Sequence, residues 1–519
     1  MPRASAFDFN NAAPAAPATT SGRSWSPYQT AIFDALRSGV SSLCVTAVAG
    51  SGKTTTIVEG CNVVRETHGV DPLFLAFNKS IADELKSRGV NGATLHSCGF
   101  RAWAASQGRR VEIDKDKTFK LVREAVSNSF ALRKMEGDIR KLVGYAKQYG
   151  MVPGSADYNE GHYSAFGVTD DTAEEWVRIA AHHDIDLPER ELFEAVTVAK
   201  DVLRQSLEMG HIIDFDDMLY MPVVFGVSMA APPWVFVDEA QDVSGIQRAM
   251  LAMMVRPGKG RIVAVGDRAQ AIYGFRGADA SSIDNIVNQF GCAELPLSIT
   301  YRCAKRVVDE ARMLVPHIEA APNAKDGEVI DAGVFSSREL TGSDMIVCRN
   351  TRPLIETAFR LIGAGVPATV MGRDIGDGLA KTLAALPIIR DATLIERVDA
   401  WEEKVVRGAE KRNDEAKVQR TKDRAECLRV IIENIRATSP EAVKSHITKI
   451  FADDAPNRVK LATVHKSKGL EADRVFILKR SLMPSPWAMQ PWQRVQEANL
   501  EYVAITRAKS SLVMVEDFR

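Results

Sequence analysis

The chain has 519 residues, 45% hydrophobic and 26% charged, enough for several domains that each bury a core. A formal net charge of −1 supplies no global positive field, so any binding to a polyanion must use a local groove. Seven scattered cysteines with no CxxC pair argue against a disulfide frame or zinc site and for a reducing, cytoplasmic compartment. No apolar run is long enough to span a bilayer.

Residues 1–24 are rich in Ala, Pro, Ser and Thr and lack the apolar centre of a signal peptide, which predicts a disordered tail. Folded structure is expected from "SPYQTAIFDAL", where Ser26 can cap a helix, Pro27 suits its first turn and Gln29 sits three residues after the cap. The strand "LCVTAV" runs into a glycine-rich turn and the helix "KTTTIVEGCNVV", and a second strand, "PLFLAF", follows. This βαβ rhythm predicts a parallel sheet covered by helices. From 101 to 213 the pattern turns helical, with "KTFKLVREAVSNSFALRKM", "TAEEWVRIAAHH" and "ERELFEAVTVAKDVLRQSLEMG" showing 3.6-residue periodicity. Strands return with "WVFVDEA" and "RIVAVGD", so the helical block is an insertion. A second set, "DMIVCR", "PATVMG", "VKLATVH", "RVFILK" and "SLVMV", is interrupted by a helical block over 373–455. The charge-dense core of that block reads as a solvated helix face. The expected fold is therefore α/β, with two parallel-sheet domains (25–100 plus 214–280, and 281–372 plus 456–519), each interrupted by a mainly helical insertion.

The chemistry starts at "AVAGSGKT", residues 47–54. A phosphate loop needs inward-facing backbone N–H groups, a lysine for the β- and γ-phosphates and a hydroxyl for Mg²⁺. Gly50 and Gly52 permit the turn, Lys53 brings the charge and Thr54 the hydroxyl, and the following helix adds its positive end. The expected cradle runs through Ala47, Val48, Ala49, Gly50, Ser51, Gly52, Lys53, Thr54 and Thr55, with Ala47 where the strict pattern has glycine. "WVFVDEAQD" (234–242) then places Asp238 and Glu239 at the carboxyl edge of a parallel sheet. One carboxylate can hold Mg²⁺, expected of Asp238, and the other can orient or deprotonate an attacking water, expected of Glu239.

In sequence order "PYQ", "AVAGSGKT", "LAFNKS", "TLHS", "DFDDM", "VDEAQD", "VGDRAQAIYGFRGA", "TYRC", "TVHKSKGLE" and "YVAITRAK" resemble the UvrD/Rep/PcrA group of superfamily 1 DNA helicases. The resemblance runs from Gln29 to about Lys509, and the two insertions match only in position. It implies two RecA-like P-loop motor domains, with ATP and Mg²⁺ between them and single-stranded DNA across them. It assigns adenine to Gln29 (which could equally just close a capping box with Ser26), adenine stacking to Tyr301 and ribose to Glu471. It places Gln270 near the γ-phosphate and makes Arg302 and Arg507 cationic fingers, a task suited to the planar, permanently charged guanidinium.

For DNA, the resemblance implies contacts at Phe77, Asn78, His96 and His465, and along a loop carrying Tyr273, Phe275 and Arg276. Aromatic rings offer sequence-tolerant stacking platforms; Phe275 stands where relatives usually carry tryptophan, and a plug between domains is its other reading. Asp214, Asp216 and Asp217 in "IIDFDDMLY" could suggest a two-metal nuclease, but the family has a similar structural segment there.

The resemblance implies an ATP-dependent DNA helicase moving 3′→5′, since "QAIYGFRGA" and "SKGLE" resemble that branch and Lys468, where the opposite-polarity branch typically has glutamine before the glycine, favours it together with Glu471. The weighed alternatives are a 5′→3′ superfamily 1 helicase, an ATP-gated DNA-binding adaptor and an ATP-dependent nuclease subunit. The expected partners are single-stranded DNA, duplex/single-strand junctions and replication or repair proteins, with no membrane and a monomeric chain.

Overall fold

A computed structural model of the chain describes residues 24–152, 169–183, 185, 187, 191–272, 281–410, 415–451, 457–486 and 488–519. Two six-stranded sheets carry it. The first runs in the order Ala293–Leu297, Leu43–Ala47, Arg261–Gly266, Trp234–Val237, Leu73–Leu75 and Gly92–Ala93, with every neighbouring pair parallel. The second runs Glu328–Phe335, Ala508–Phe518, Ala472–Leu478, Met345–Cys348, Val459–Thr463 and Ala368–Val370, again all parallel. Parallel strands buried on both faces read as continuous apolar runs, which is why "LCVTA", "WVFV" and "MIVC" stand out in the sequence.

Each sheet packs helices on both faces. In the first, Cys44, Leu75, Val235, Val237, Ile262 and Ala264 face the helical insertion. Alternate residues Val45, Phe74, Phe236, Val263 and Val265 face the helices Pro27–Ser38, Lys53–His68 and Lys79–Ser87. The entry helix begins as its residues dictate: Ser26 accepts the Gln29 N–H, the Gln29 side chain accepts the Ser26 N–H, and Pro27 opens the first turn.

In the second sheet Ile346, Cys348, Phe476, Leu478 and Val513 share a core with Val398, Leu428 and Ile431 of the second insertion. That insertion is thus part of the second lobe's core. Its charge-dense stretch forms the packed helices Leu394–Glu410 and Glu415–Ile435, with Val398, Ala425 and Leu428 buried and Arg429 pairing across to Asp399 and Glu402.

Two boundaries differ from expectation. The first domain does not end at 280: Ala293–Leu297 pairs along its whole length with the phosphate-loop strand, and helix Ser282–Phe290 anchors to it through Ser282 Oγ, which donates to the Ala240 carbonyl at 2.8 Å. The short run "AELPL" is mostly exposed and contains Pro296, so it carries little strand signal. The first insertion does not begin at 101, because helix Leu95–Gln107 runs through that point. Within the insertion, "KTFKLVREAVSNSFALRKM" is two helices, Lys117–Ala125 and Phe130–Lys134, divided where Ser129 accepts the Leu132 N–H as a new cap.

The acidic segment at the return from the insertion is structural. Lys147 Nζ bridges Asp214 at 3.0 Å and Asp217 at 2.7 Å, and Lys117 Nζ pairs with Asp217 at 2.8 Å. All four side chains are buried, and Asp216 is lifted to about 6 by burial. Lysines occupy the positions that metal ions would need, which removes the nuclease reading of this segment.

Candidate active site

The strand Leu43–Ala47 ends in β geometry at Ala47, which pairs in register with Leu297. That extended backbone accepts a residue with a Cβ and does not call for glycine. The turn itself needs glycine: Gly50 has φ +71° and Gly52 φ +80°, the left-handed region that other L-residues avoid. At Gly50 there is also no room, since a Cβ would lie 2.5 Å from Arg302 Cβ and 2.7 Å from Thr300 Oγ1. Helix Lys53–His68 starts directly after Gly52, so the orphan N–H groups of its first turn point out of the sheet edge. Ser51 Oγ is fully buried with no hydrogen-bond partner, and a phosphate oxygen in the loop would satisfy such an orphan.

Lys53 is partly exposed at the mouth of this turn. Burial pulls its pKa down, but Glu239, Asp267 and Asp238 outweigh that and hold it above the ordinary lysine value. The strand Trp234–Val237 delivers Asp238 and Glu239 to the same edge. Glu239 takes φ +51°, a strained setting for a residue with a Cβ and one that clusters at functional sites. Burial and the charge of Glu239 push Asp238 above the ordinary carboxylate range. Glu239 is held low despite burial by Lys53 and Lys468, by a hydrogen bond from Gln241 Nε2, and by Arg507. Gln241 Oε1 accepts the Asp267 N–H at 3.0 Å, and Asp267 Oδ2 accepts from Gln270 Nε2 at 2.7 Å. Asp238, Gln241, Asp267 and Gln270 are buried along this edge, with Glu239 partly exposed among them.

The second lobe closes over that edge. Val48, Ala49 and Ile272 of the first lobe lie in the same apolar cluster as Val475, Ile477 and Leu512 of the second. Tyr502 Oη accepts the Ala49 N–H at 2.9 Å, and the Tyr301 N–H donates to the Gly50 carbonyl at 2.9 Å. Arg302 sits against the phosphate loop and is close enough to depress the Lys53 pKa. Its Nε pairs with Glu471 at 2.7 Å. Arg507 is fully buried, donating to the carbonyls of Val503 at 2.9 Å and Leu470 at 3.0 Å. Burial and the neighbouring Arg302 charge lower it to about 10, so it stays cationic at neutral pH. Lys53, Asp238, Glu239, Gln270, Arg302 and Arg507 therefore surround one cleft.

Other expected residues are placed as follows. Gln29 closes the capping box and its Nε2 donates to Thr56 Oγ1 at 2.9 Å, which fixes its amide beside the phosphate-loop helix. Tyr301 is about half exposed, leaving ring surface open. Glu471 also accepts from Lys509 at 2.8 Å, so its carboxylate is held by two cations. Thr54 and Thr55 lie in the first turn of their helix, partly exposed. Phe77 is exposed, and it lines a crevice with His96, Asp238, Glu239, Asp242 and Gln247. Burial lowers the His96 pKa, keeping the ring neutral. Asn78 caps the helix Lys79–Ser87 by accepting the Ile81 N–H at 2.9 Å. His465 stands, partly buried, in the short helix Val464–Ser467 on the second lobe. Tyr273, Phe275 and Arg276 lie outside the described residues.

The sequence gives no sign that Tyr502, Asn499, Asp242 and Lys468 are inter-lobe contacts. All lie inside or beside the quoted motifs, but their partners hundreds of residues away are not visible there.

Two parallel-sheet lobes, with a glycine-rich strand–turn–helix on one and arginines of the other set against it, are the architecture of two RecA-like domains. Residues 28–291 match the UvrD/REP helicase N-terminal domain and residues 390–516 the UvrD-like helicase C-terminal domain; the chain belongs to the UvrD/REP helicase family. It is similar to F-box DNA helicase 1 of Gallus gallus, 24% identical over 503 residues that cover 91% of this chain and 47% of that protein. F-box DNA helicase protein 1 of Schizosaccharomyces pombe is 25% identical over 311 residues, covering 54% of this chain and 33% of the relative. DNA helicase II of Escherichia coli is 35% identical over 82 residues, 16% of this chain and 11% of the relative. The chain spans less than half the length of the F-box helicases it matches.

Proposed function

We propose that the chain is an ATP-dependent DNA helicase that moves 3′→5′ along single-stranded DNA and unwinds duplex, powered by hydrolysis in the cleft. The observation that carries this is the convergence of Arg302 and Arg507 from one lobe on the phosphate loop and Glu239 of the other. A site built half from each lobe is complete only when the lobes meet, so turnover of a bound triphosphate is tied to their separation.

In this reading the loop Ala47–Thr55 cradles the phosphates and Lys53 neutralises the β- and γ-oxygens. Tyr301 and Gln29 hold the adenine and Glu471 the ribose. Asp238 and Thr54 offer the hard oxygen donors that Mg²⁺ takes, and a dication would offset the negative charge that burial and Glu239 make costly at Asp238. Bound there, Mg²⁺ would screen charge on the phosphates. Glu239, kept ionised by its cationic neighbours, orients and deprotonates the attacking water, and Gln270 positions it against the γ-phosphate. Arg302 and Arg507 stabilise the charge that spreads over the transferring phosphoryl group. Phe77, Asn78, His96 and His465, with Tyr273, Phe275 and Arg276, form the DNA track. Polarity rests on the wording of "QAIYGFRGA" and "SKGLE" and on Lys468, where the 5′→3′ branch typically has glutamine before the glycine, together with Glu471. Single-stranded DNA and its junctions with duplex are the partners of this monomer, alongside replication or repair proteins in a cytoplasmic setting.

The test is strand displacement on 3′-tailed and 5′-tailed duplexes, with Lys53→Ala as the control. ATP-dependent displacement of the 3′-tailed substrate alone is expected, and none with Lys53→Ala. Displacement of only the 5′-tailed substrate would reverse the polarity. Binding with no displacement of either would favour the adaptor.

A further inference from the structure

The turn Arg268–Gln270 belongs to the first lobe by sequence and by sheet, since it follows the strand Arg261–Gly266 directly. Its backbone, however, is held by the second. Lys468 Nζ donates to the Gln270 carbonyl at 2.9 Å, and Asn499 Nδ2 donates to the carbonyls of Arg268 at 3.2 Å and Ala271 at 3.0 Å. The same Lys468 Nζ pairs with Asp242 Oδ2 at 2.7 Å, and both side chains of that pair are almost fully buried. Two side chains that sit more than 30 positions apart on the second lobe, just after the short helix Val464–Ser467 and on helix Pro491–Ile505, thus converge on one short turn of the first.

The chemistry of these contacts is selective. Carbonyl oxygens at a turn accept from any donor, including water, so two dedicated side-chain donors are not needed to solvate them. They do fix the turn in a frame that moves with the other lobe. Gln270 has its backbone carbonyl in that frame, while its side chain reaches back to Asp267 of its own lobe. An opening of the cleft pulls on the two ends of this residue in different directions.

We propose that Asn499 and Lys468 are positioning residues that lash the Arg268–Ala271 turn to the second lobe, so that closure of the cleft sets the orientation of Gln270 and makes hydrolysis conditional on it. Neither touches nucleotide in this scheme; Asn499 acts through the turn that carries Gln270, whereas Lys468 also pairs with Asp242 and helps hold Glu239 low. The proposal rests on the assignment of Gln270 to the hydrolytic site and deepens it.

The experiment compares DNA-stimulated ATP hydrolysis by the full chain and its Asn499→Leu, Asn499→Ala, Asn499→Gln and Lys468→Met variants, with thermal melts alongside. Asn499→Leu keeps the shape but removes the donors; Asn499→Gln restores an amide. A small misplacement of a hydrolytic group costs on the order of 10²-fold. A fall of about tenfold or more in stimulated kcat, with KM for ATP within about twofold, is expected for Asn499→Leu, together with partial recovery in Asn499→Gln. A merely structural contact would lower the melting temperature and leave kcat per folded molecule unchanged. Wild-type stimulated kcat in folded Asn499→Leu overturns the proposal. If that variant does not fold, Asn499→Ala decides the matter by the same criterion; Lys468→Met, which also removes the Asp242 pair and a charge near Glu239, should lose at least as much. If the unsubstituted chain shows no DNA-stimulated hydrolysis at all, it is the helicase reading that fails, and the two failures are told apart by that control.

Discussion

At the scale of single residues, the phosphate loop shows two glycines used for different reasons. Gly52 needs only its left-handed backbone, because a Cβ there would meet open space. Gly50 needs both the backbone and the space, since the "TYRC" segment closes on it through Thr300 and Arg302. Left-handed backbone costs a residue with a Cβ roughly 1–2 kcal/mol, so Gly52→Ala should lose about that much stability in nucleotide-free melts. Gly50→Ala should lose distinctly more, because Arg302 and Thr300 must also move. Equal losses would mean that the second lobe is not seated on the loop. The motif letters made Gly50, Lys53, Asp238 and Glu239 legible, because their chemistry is local to a strand end or helix start. The αL strain at Glu239 was not legible, because nothing in "VDEAQ" demands it.

At the scale of elements, the strands that could be read were those buried on both faces. Glu328–Phe335 went unread because it is an edge strand with no fully buried position, and alternation between half-buried and exposed residues gives a weak signal. The first insertion shows the reverse: its helices were evident from periodicity, but its organising charges were not. Lys117, Lys147, Asp214 and Asp217 come from three separate helices and the segment before Asp217, and acids two or three residues apart look like a metal site until the lysines arrive. Removing one partner of a buried pair strands the other, at a cost of about 3–5 kcal/mol. Lys147→Met should therefore destabilise the chain by about that amount in denaturant titration. A change below about 1 kcal/mol would show that the cluster is not the anchor of the insertion.

At the scale of the whole molecule, the sequence announced two lobes by repeating the strand rhythm, but it could not announce how they meet. The contacts that join them span 453 positions for Ala49 and Tyr502 and 226 for Lys468 and Asp242, and periodicity carries no information across such distances. In the proposed reading the inter-lobe contacts bring Arg302 and Arg507 to a triphosphate held by the phosphate loop. A finger of this kind contributes about 10³–10⁵ in turnover.

The most direct measurement is DNA-stimulated ATP hydrolysis by Arg302→Ala, with nucleotide binding and thermal melting recorded on the same protein. Hydrolysis should fall by about 10³ or more while the variant stays folded and still binds ATP. Hydrolysis by the folded variant within about twofold of the unsubstituted chain would contradict a site shared between the lobes.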